Sequence, residues 1–230
     1  MFNKQQLFLL LSIALLITAV LLLPDDAMAR AGGGSSKGGG ILGLILWPFI
    51  LIYSGIITYI AAKKNKQAKA LLRQISQNDP MWDIGHIKPR IEEAYFKIQQ
   101  AWRDRDQDIA KDYMSNRLYM KHKLQTDDML KRGIKNVMEN INLKEATIVE
   151  VMDYKDDSKD AFWALIKGSM VDYTIVEKSG ELIDGEKKNN SFKELWLFKR
   201  EDHGWVLDEI DQDVSISDLR GFNPFSEDVA

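Results

Sequence analysis

Two apolar runs lie in the first third of this 230-residue chain, and they constrain its architecture more than any other feature. The first runs from Leu7 to Leu23, and the second, from Ile41 to Ala62, has no charged residue at any of its 22 positions. A helix of that length spans about 33 Å, enough to cross the ~30 Å hydrocarbon core of a bilayer. The sequence therefore predicts a transmembrane helix over 41–62 and a water-soluble region after it.

Residues 1–29 allow two interpretations. Lys4 precedes the first apolar run, and the small-residue pattern Ala27-Met28-Ala29 follows it, as in a secretory signal peptide cleaved after Ala29. The alternative is an uncleaved first membrane helix, since the run is long for a signal peptide. A linker rich in Gly and Ser, residues 30–40, joins this segment to the second apolar run.

The charges that flank the second run predict its orientation. Five basic residues follow it before the first acidic residue, Asp79: Lys63, Lys64, Lys66, Lys69 and Arg73. Under the positive-inside rule this end is cytoplasmic, whether the chain spans the membrane once or as a hairpin. We expect residues 63–79 to form a basic juxtamembrane stalk whose basic collar, the five residues above, contacts anionic lipid head groups.

Composition excludes several kinds of site. The chain has no cysteine, and its three histidines, at 86, 122 and 203, lack the spacing of metal ligands, so we expect neither a metal nor another cofactor. Of its 31 basic and 34 acidic residues, three and two precede residue 63, which leaves a net charge of −4 for the rest. A mildly acidic domain of this kind is not expected to bind nucleic acid.

The first half of the soluble region has helical periodicity. Apolar residues recur at helical spacing from Ile87 to Trp102 and predict an amphipathic helix. A short helix is expected over 106–113, and a third begins after a cap at Ser115 and ends at Gly133.

The second half has the pattern of strands. These are expected over 146–154, 161–176, 191–200 and 205–210, with turns at Asp184-Gly185 and at 201–204. Gly168, in the middle of the second strand, suits a bulge or a sharp bend. Helices followed by antiparallel hairpins predict an α+β domain with the helices packed on one face of a sheet.

Three short motifs occur here in a characteristic order. They are Phe96-Lys-Ile-Gln-Gln-Ala-Trp102 followed by Asp106, then Glu194-x-Trp196-x-Phe198-x-Arg200, then Trp205-x-Leu207-x-x-Ile210. Over about residues 82–212 their order and spacing resemble the Tim 44-kDa subunit-like domain family. This family includes the C-terminal domain of the mitochondrial import-motor scaffold and a bacterial membrane-anchored branch.

The resemblance implies a fold and a setting. The fold is a nuclear-transport-factor-like cone, with helices and a curved antiparallel sheet around an apolar cavity, here over 80–212 with a tail at 213–230. The setting is membrane-linked scaffolding with association to inner-membrane lipid. The mitochondrial proteins have a long N-terminal region that engages a chaperone. This chain has the two apolar runs instead, so that role does not carry over, and we expect a bacterial inner membrane.

Candidate binding residues follow from strand parity. Glu194, Trp196, Phe198 and Arg200 share one strand face and are candidates for a groove, with a structural polar pair of Glu194 and Arg200 at the rim as the alternative. Asp172 and Tyr173 are further candidates, and without a bulge at Gly168 Asp172 shares the face of Phe162, Ala164 and Ile166.

Catalysis is not expected. Asp172, Tyr173, Tyr119 and His122 are the plausible acid–base groups of a cone-fold enzyme, and no nucleophile, phosphate-loop or zinc motif accompanies them. The tryptophans at 102, 163, 196 and 205 are expected to be core residues.

Two aromatic residues of the tail, Phe222 and Phe225, form a candidate interface. The alternative is that they cover the open end of the cone as a lid.

These observations predict a membrane-anchored scaffold or adaptor that faces the cytoplasm and handles or translocates membrane proteins. Its partners would be membrane lipids and a membrane or cytoplasmic protein, while the sequence indicates no particular oligomeric state. The first alternative is a module that binds a lipid or a small hydrophobic ligand in the cone cavity. The second is a cone-fold enzyme.

Overall fold

The computed structural model describes residues 41–227, with side chains from residue 50 onward. The signal-like segment 1–29, the linker 30–40 and the last three residues lie outside the described part. The first described helix, α1 (Ile41–Ile75), contains the second apolar run, so that residues 41–62 are helical as expected. Within the residues described with side chains, from residue 50 onward, no helix has the length and apolar character needed to cross a membrane. The membrane span stays a prediction.

From residue 60 onward the chain forms one compact unit. The remaining helices are α2 (Ile84–Asp104), α3 (Asn116–Arg132) and the short α4 (Ile216–Gly221), with 3₁₀ turns at Pro80–Trp82, Gln107–Tyr113 and Asp157–Lys159. The strands are β1 (Ile134–Asp153), β2 (Ala161–Val176), β3 (Leu182–Glu201), β4 (Gly204–Asp211) and β5 (Phe225–Ser226). The α+β class predicted from the sequence is confirmed.

The sheet has the strand order β4-β3-β2-β1-β5. Neighbouring strands are antiparallel, except that β5 pairs in parallel with the end of β1. The register shifts at three places along β1 and at two places between β2 and β3. Because each bulge adds twist and bends a strand, these long strands form a curled sheet that fits the expected cone.

Capping residues explain where the helices begin and end. The Asp83 carboxylate accepts a hydrogen bond from the Gly85 amide at the start of α2. The Ser115 hydroxyl accepts one from the Leu118 amide at the start of α3, which ends at Gly133 with φ 61°. The predicted limits of α3 are therefore confirmed, whereas the short helix expected over 106–113 is a 3₁₀ turn over 107–113.

Two glycine predictions are wrong in detail. Gly168 was expected to mark a bulge or a sharp bend; a bulge does occur at this point, but its extra residue is in β1, where the register shifts between Leu143 and Glu145 opposite that glycine. Gly168 is needed for close packing, since a Cβ there would lie 2.5 Å from the ring of Phe192. The Asp184-Gly185 turn is also wrong, because both residues pair within β3 and the chain reverses at 177–181 instead.

The main core lies between the helices and one face of the sheet. Its largest fully buried side chains include Trp82, Tyr95, Phe162, Trp196 and Phe198. Trp196 and Trp205 are core residues as expected, Trp102 packs against the core half-buried, and Trp163 lies outside it.

The segment predicted as a polar stalk contributes to this core. Ala68, Leu72 and Ile75 of α1 are buried within it. Packing of that apolar side fixes the end of α1 on the domain.

Candidate binding site

A cavity of roughly 250 Å³ lies between α2, α3 and the sheet. Its apolar walls are Ile98, Trp102 and Met129 from the helices, with Met138, Met170, Trp196 and Ile210 from the strands. Its polar groups are Gln99, Asn136, Asp172, Thr174, Glu194 and Gln212. A concave site that combines apolar walls with polar groups is typical of small-molecule binding, although this volume is just below the usual range of about 300–1,000 Å³.

The alternation of side chains along the strands places the polar groups together. Asp172 and Thr174 lie two residues apart on β2, and Glu194 and Trp196 two apart on β3, so each pair faces the same side. The register shift after Val171 does not turn Asp172 away from the cavity. Its expected position on the helix-covered face is therefore confirmed.

Glu194 is the buried acid of the cavity, with a relative exposure of 7%. One carboxylate oxygen accepts a hydrogen bond from the Trp196 indole at 2.8 Å, and the other accepts one from the Gln212 amide at 3.1 Å. Burial raises the pKa of Glu194, and the nearby charge of Asp172 raises it further, while the two hydrogen bonds act against this rise. Within the described residues, Glu194 has no ion pair.

Asp172 lies at the exposed edge of the same cavity. Its carboxylate accepts a hydrogen bond from the side-chain amide of Asn136 at 2.7 Å. Tyr173 points to the opposite face of β2, where the Lys187 ammonium lies 5.3 Å from the centre of its ring. The structure thus brings Asp172 together with Glu194 and Trp196 but leaves Tyr173 out of the cavity.

Tyr95 places a buried hydroxyl near Glu194. Its hydroxyl is buried and has no hydrogen-bond partner within the described residues. Burial and the charge of Glu194 raise the pKa of Tyr95 to about 12, so the hydroxyl stays protonated. The Tyr95 ring packs against the Trp196 indole at 5.7 Å between ring centres.

Arg200 lies at the other end of β3 and does not pair with Glu194. Its guanidinium forms ion pairs with Asp79, Asp157 and Asp160. Three carboxylates therefore share one cation. Burial raises the pKa of Asp160 to about 6, because the loss of hydration outweighs the opposing effect of the Arg200 guanidinium. Phe198 is fully buried in the core, so the predicted four-residue groove is divided between a cavity, the core and an ion-pair cluster.

The suggested acid–base groups form no catalytic pair with one another. The Tyr119 hydroxyl donates a hydrogen bond to Asp108, not to His122 or Asp172. The His122 ring packs against Trp102 at 5.1 Å, and burial lowers its pKa to about 4. Among the described residues, no group of three or more His, Asp and Glu side chains could hold a metal ion.

The basic collar is largely exposed. Lys63, Lys66 and Arg73 face solvent, while Lys64 is half-buried and donates a hydrogen bond to the Phe222 carbonyl. Lys69 and Arg73 line a depression with the start of α2. Their contact with lipid head groups stays a prediction.

The tail packs on the domain's own sheet. Phe222 stacks on Trp163 at 5.8 Å, and Phe225 meets Tyr154 edge to face at 5.0 Å, with β5 paired to β1. Neither Phe lines the 250 Å³ cavity, so the structure does not place the tail over it. Their role as an interface stays a prediction.

Two structural clusters have almost no signature in the local sequence. Trp82 is fully buried, its indole donates to Asp153 at 2.9 Å, and it contacts the ring of Trp205. The local pattern that points to this region is Asp79-Pro80, because an Asp followed by a Pro predicts a turn at which a new element begins. The three methionines of the cavity come from three different elements, and no local pattern could have grouped them.

Comparison with known proteins identifies the family to which this α+β domain belongs. The family model of the Tim44-like domain matches residues 68–212, well over half of the chain, so the chain belongs to this family. The domain is thus of the scaffold or adaptor type.

A search of solved structures gives matches that include the intermembrane space region of the chloroplast protein ARC6. The likeness has a TM-score of 0.42 at 10% sequence identity and covers 56% of this chain and 95% of that one. The comparison with curated proteins gives no match.

Proposed function

We propose that this chain is a scaffold or adaptor that is anchored in a bacterial inner membrane and works on its cytoplasmic side, where it handles membrane proteins. The observation that carries the proposal is the Tim44-like domain over 68–212, with an uncharged run of 22 residues, 41–62, a few residues before it in sequence. A domain that acts by contact gains effective concentration when it is held beside its partners.

The basic collar supports the orientation. Lys63, Lys66 and Arg73 are exposed, and within the described residues none of them has an ion pair inside the protein. Their charges are thus available to set the topology and to approach anionic lipid, at about 1 kcal/mol for each residue near the surface.

Reporter fusions test the topology. A fluorescent protein fused after Ala230 should fluoresce in the cytoplasm, and alkaline phosphatase fused there should stay inactive. Active phosphatase would contradict the proposed orientation.

Charge variants test the role of the collar. Changing Lys63, Lys64, Lys66 and Lys69 to Gln should increase the misoriented fraction. The matched control changes four exposed lysines elsewhere, Lys131, Lys155, Lys178 and Lys188, to Gln and should leave the orientation unchanged. An equal effect of both sets would show that the collar has no special role.

A second candidate function is the binding of a small hydrophobic ligand. The apolar walls of the 250 Å³ cavity favour it, and such binding is compatible with an adaptor role.

A further inference from the structure

The cavity between α2, α3 and the sheet has an electrostatic character that a general hydrophobic pocket lacks. Two carboxylates line it, those of Asp172 and Glu194, and no Lys, Arg or His is among its lining residues. A lipid phosphate or a fatty acid would bring a further negative charge toward these groups. The charge of the lining disfavours an anionic ligand.

The environment of Glu194 favours the binding of a cation. Burying an acid without a positive partner is costly, and the described residues supply none to Glu194. The hydrogen bonds from Trp196 and Gln212 fix its orientation but leave further lone pairs, because a carboxylate can accept about four bonds. Loss of hydration and repulsion from Asp172 both disfavour the charged form of Glu194. The positive charge of a bound ammonium group would offset both effects.

Asp172 offers a second acceptor at the rim of the cavity. Asn136 holds one of its oxygens, and within the described residues the other has no hydrogen-bond partner. An ammonium group has three donors, so it can bond to more than one carboxylate oxygen at once.

The remaining walls fit the body of such a ligand. Trp102 and Trp196 supply aromatic rings, which attract cations through their faces and pack against apolar groups. Met129, Met138 and Met170 supply flexible, polarizable side chains that adapt to the shape of a ligand. A cavity of roughly 250 Å³ limits the ligand to a small molecule.

We propose that this cavity binds a small organic cation, an amine with an aromatic or aliphatic body, whose ammonium group bonds to Glu194 and Asp172 while its body packs against Trp102, Trp196 and the three methionines. The proposal goes beyond the scaffold role and does not depend on membrane anchoring.

Isothermal titration of the full chain in detergent micelles tests the ligand class. The probes are tryptamine, phenethylamine and hexylamine, each with a neutral alcohol and a carboxylic acid of matching size. At least one amine should bind saturably and at least tenfold tighter than its matched alcohol, and the acid should bind more weakly still. Absence of binding by all three amines, or equal binding of amine and alcohol, would overturn the proposal. Tighter binding of the acids would also overturn it and would favour a lipid-like anion.

Two variants locate the site. Glu194→Gln and Asp172→Asn should each weaken the amine at least fivefold and leave the matched alcohol unchanged. The control is Glu139→Gln, an exposed carboxylate next to Met138 that does not line the cavity and should have no effect. Melting temperatures establish that the variants are folded. Because Asp172 is exposed, its variant decides the question if the Glu194 variant fails to fold. Unchanged amine affinity in every folded variant would refute the assignment.

Discussion

Truncation of Trp196 to Ala should destabilise the domain by several kcal/mol. The side chain is fully buried, packs against Tyr95 and Phe198, and donates a hydrogen bond to Glu194. Loss of a buried Trp side chain costs about 3–5 kcal/mol. Removing the donor from a buried carboxylate adds about 1–3 kcal/mol, so the sum of about 4–8 kcal/mol is comparable to the total stability of a typical domain, about 5–15 kcal/mol.

Trp196→Phe separates the two contributions. It keeps most of the ring packing and loses the indole N–H, so we expect a loss of about 1–3 kcal/mol. Urea unfolding of the full chain, followed by circular dichroism in detergent, measures both variants. A Trp196→Ala variant with an unchanged midpoint would refute the assignment of this residue to the core. Equal losses in the two variants would show that the hydrogen bond, not the ring, dominates.

Three further predictions concern packing, titration and the tail. Gly168→Ala should lower the melting temperature by an amount equivalent to about 1–3 kcal/mol, because the new methyl group would meet the ring of Phe192; an unchanged melting temperature would contradict this. Burial lowers the pKa of His122 to about 4, so the unfolded state binds the proton more readily between pH 4 and 6.5 and stability falls as the pH falls through that window. Burial raises the pKa of Asp160 to about 6, so this group contributes the opposite slope between about pH 4 and 6. Denaturant titrations should show a weaker acid loss for His122→Gln and a stronger one for Asp160→Asn, and unchanged profiles would refute the sign of each effect. Phe222→Ala should lower the melting temperature modestly, because the ring stacks on the sheet; an unchanged value together with loss of crosslinked partners would instead identify an interface.

Local signals predicted the elements that depend on local chemistry. Ser115 and Gly133 mark the ends of α3 because capping involves residues within one turn. The β2 limits were also correct, since its β-branched and aromatic residues form one continuous run. Such features need no knowledge of distant partners.

The early parts of β1 and β3 could not be predicted in the same way. β1 begins at Ile134, before the expected start at 146, and β3 begins at Leu182 instead of 191. These segments are polar, and they are strands because they pair with the end of β2, a long-range effect that overrides local propensity.

The candidate site was predicted in part. Parity placed Glu194 and Trp196 together, and Asp172 joined them because its strand face was correctly assigned. The same parity failed for Arg200, because strand β3 is longer than the cavity and its far end meets Asp79 and Asp160 instead. Charge partners across the sheet are set by tertiary packing, which parity does not describe.

Photo-crosslinking in native membranes is the most direct test of the proposed scaffold role. A photoreactive residue at Leu124, which is 67% exposed on α3, reports contacts of the domain surface, and one at the buried Leu165 serves as the control. A scaffold that works at the membrane should give a discrete protein adduct at Leu124 that disappears when residues 1–62 are deleted, and none at Leu165. Absence of adducts at Leu124 and at other exposed positions of the domain, or adducts that persist unchanged without residues 1–62, would contradict a scaffold that works at the membrane.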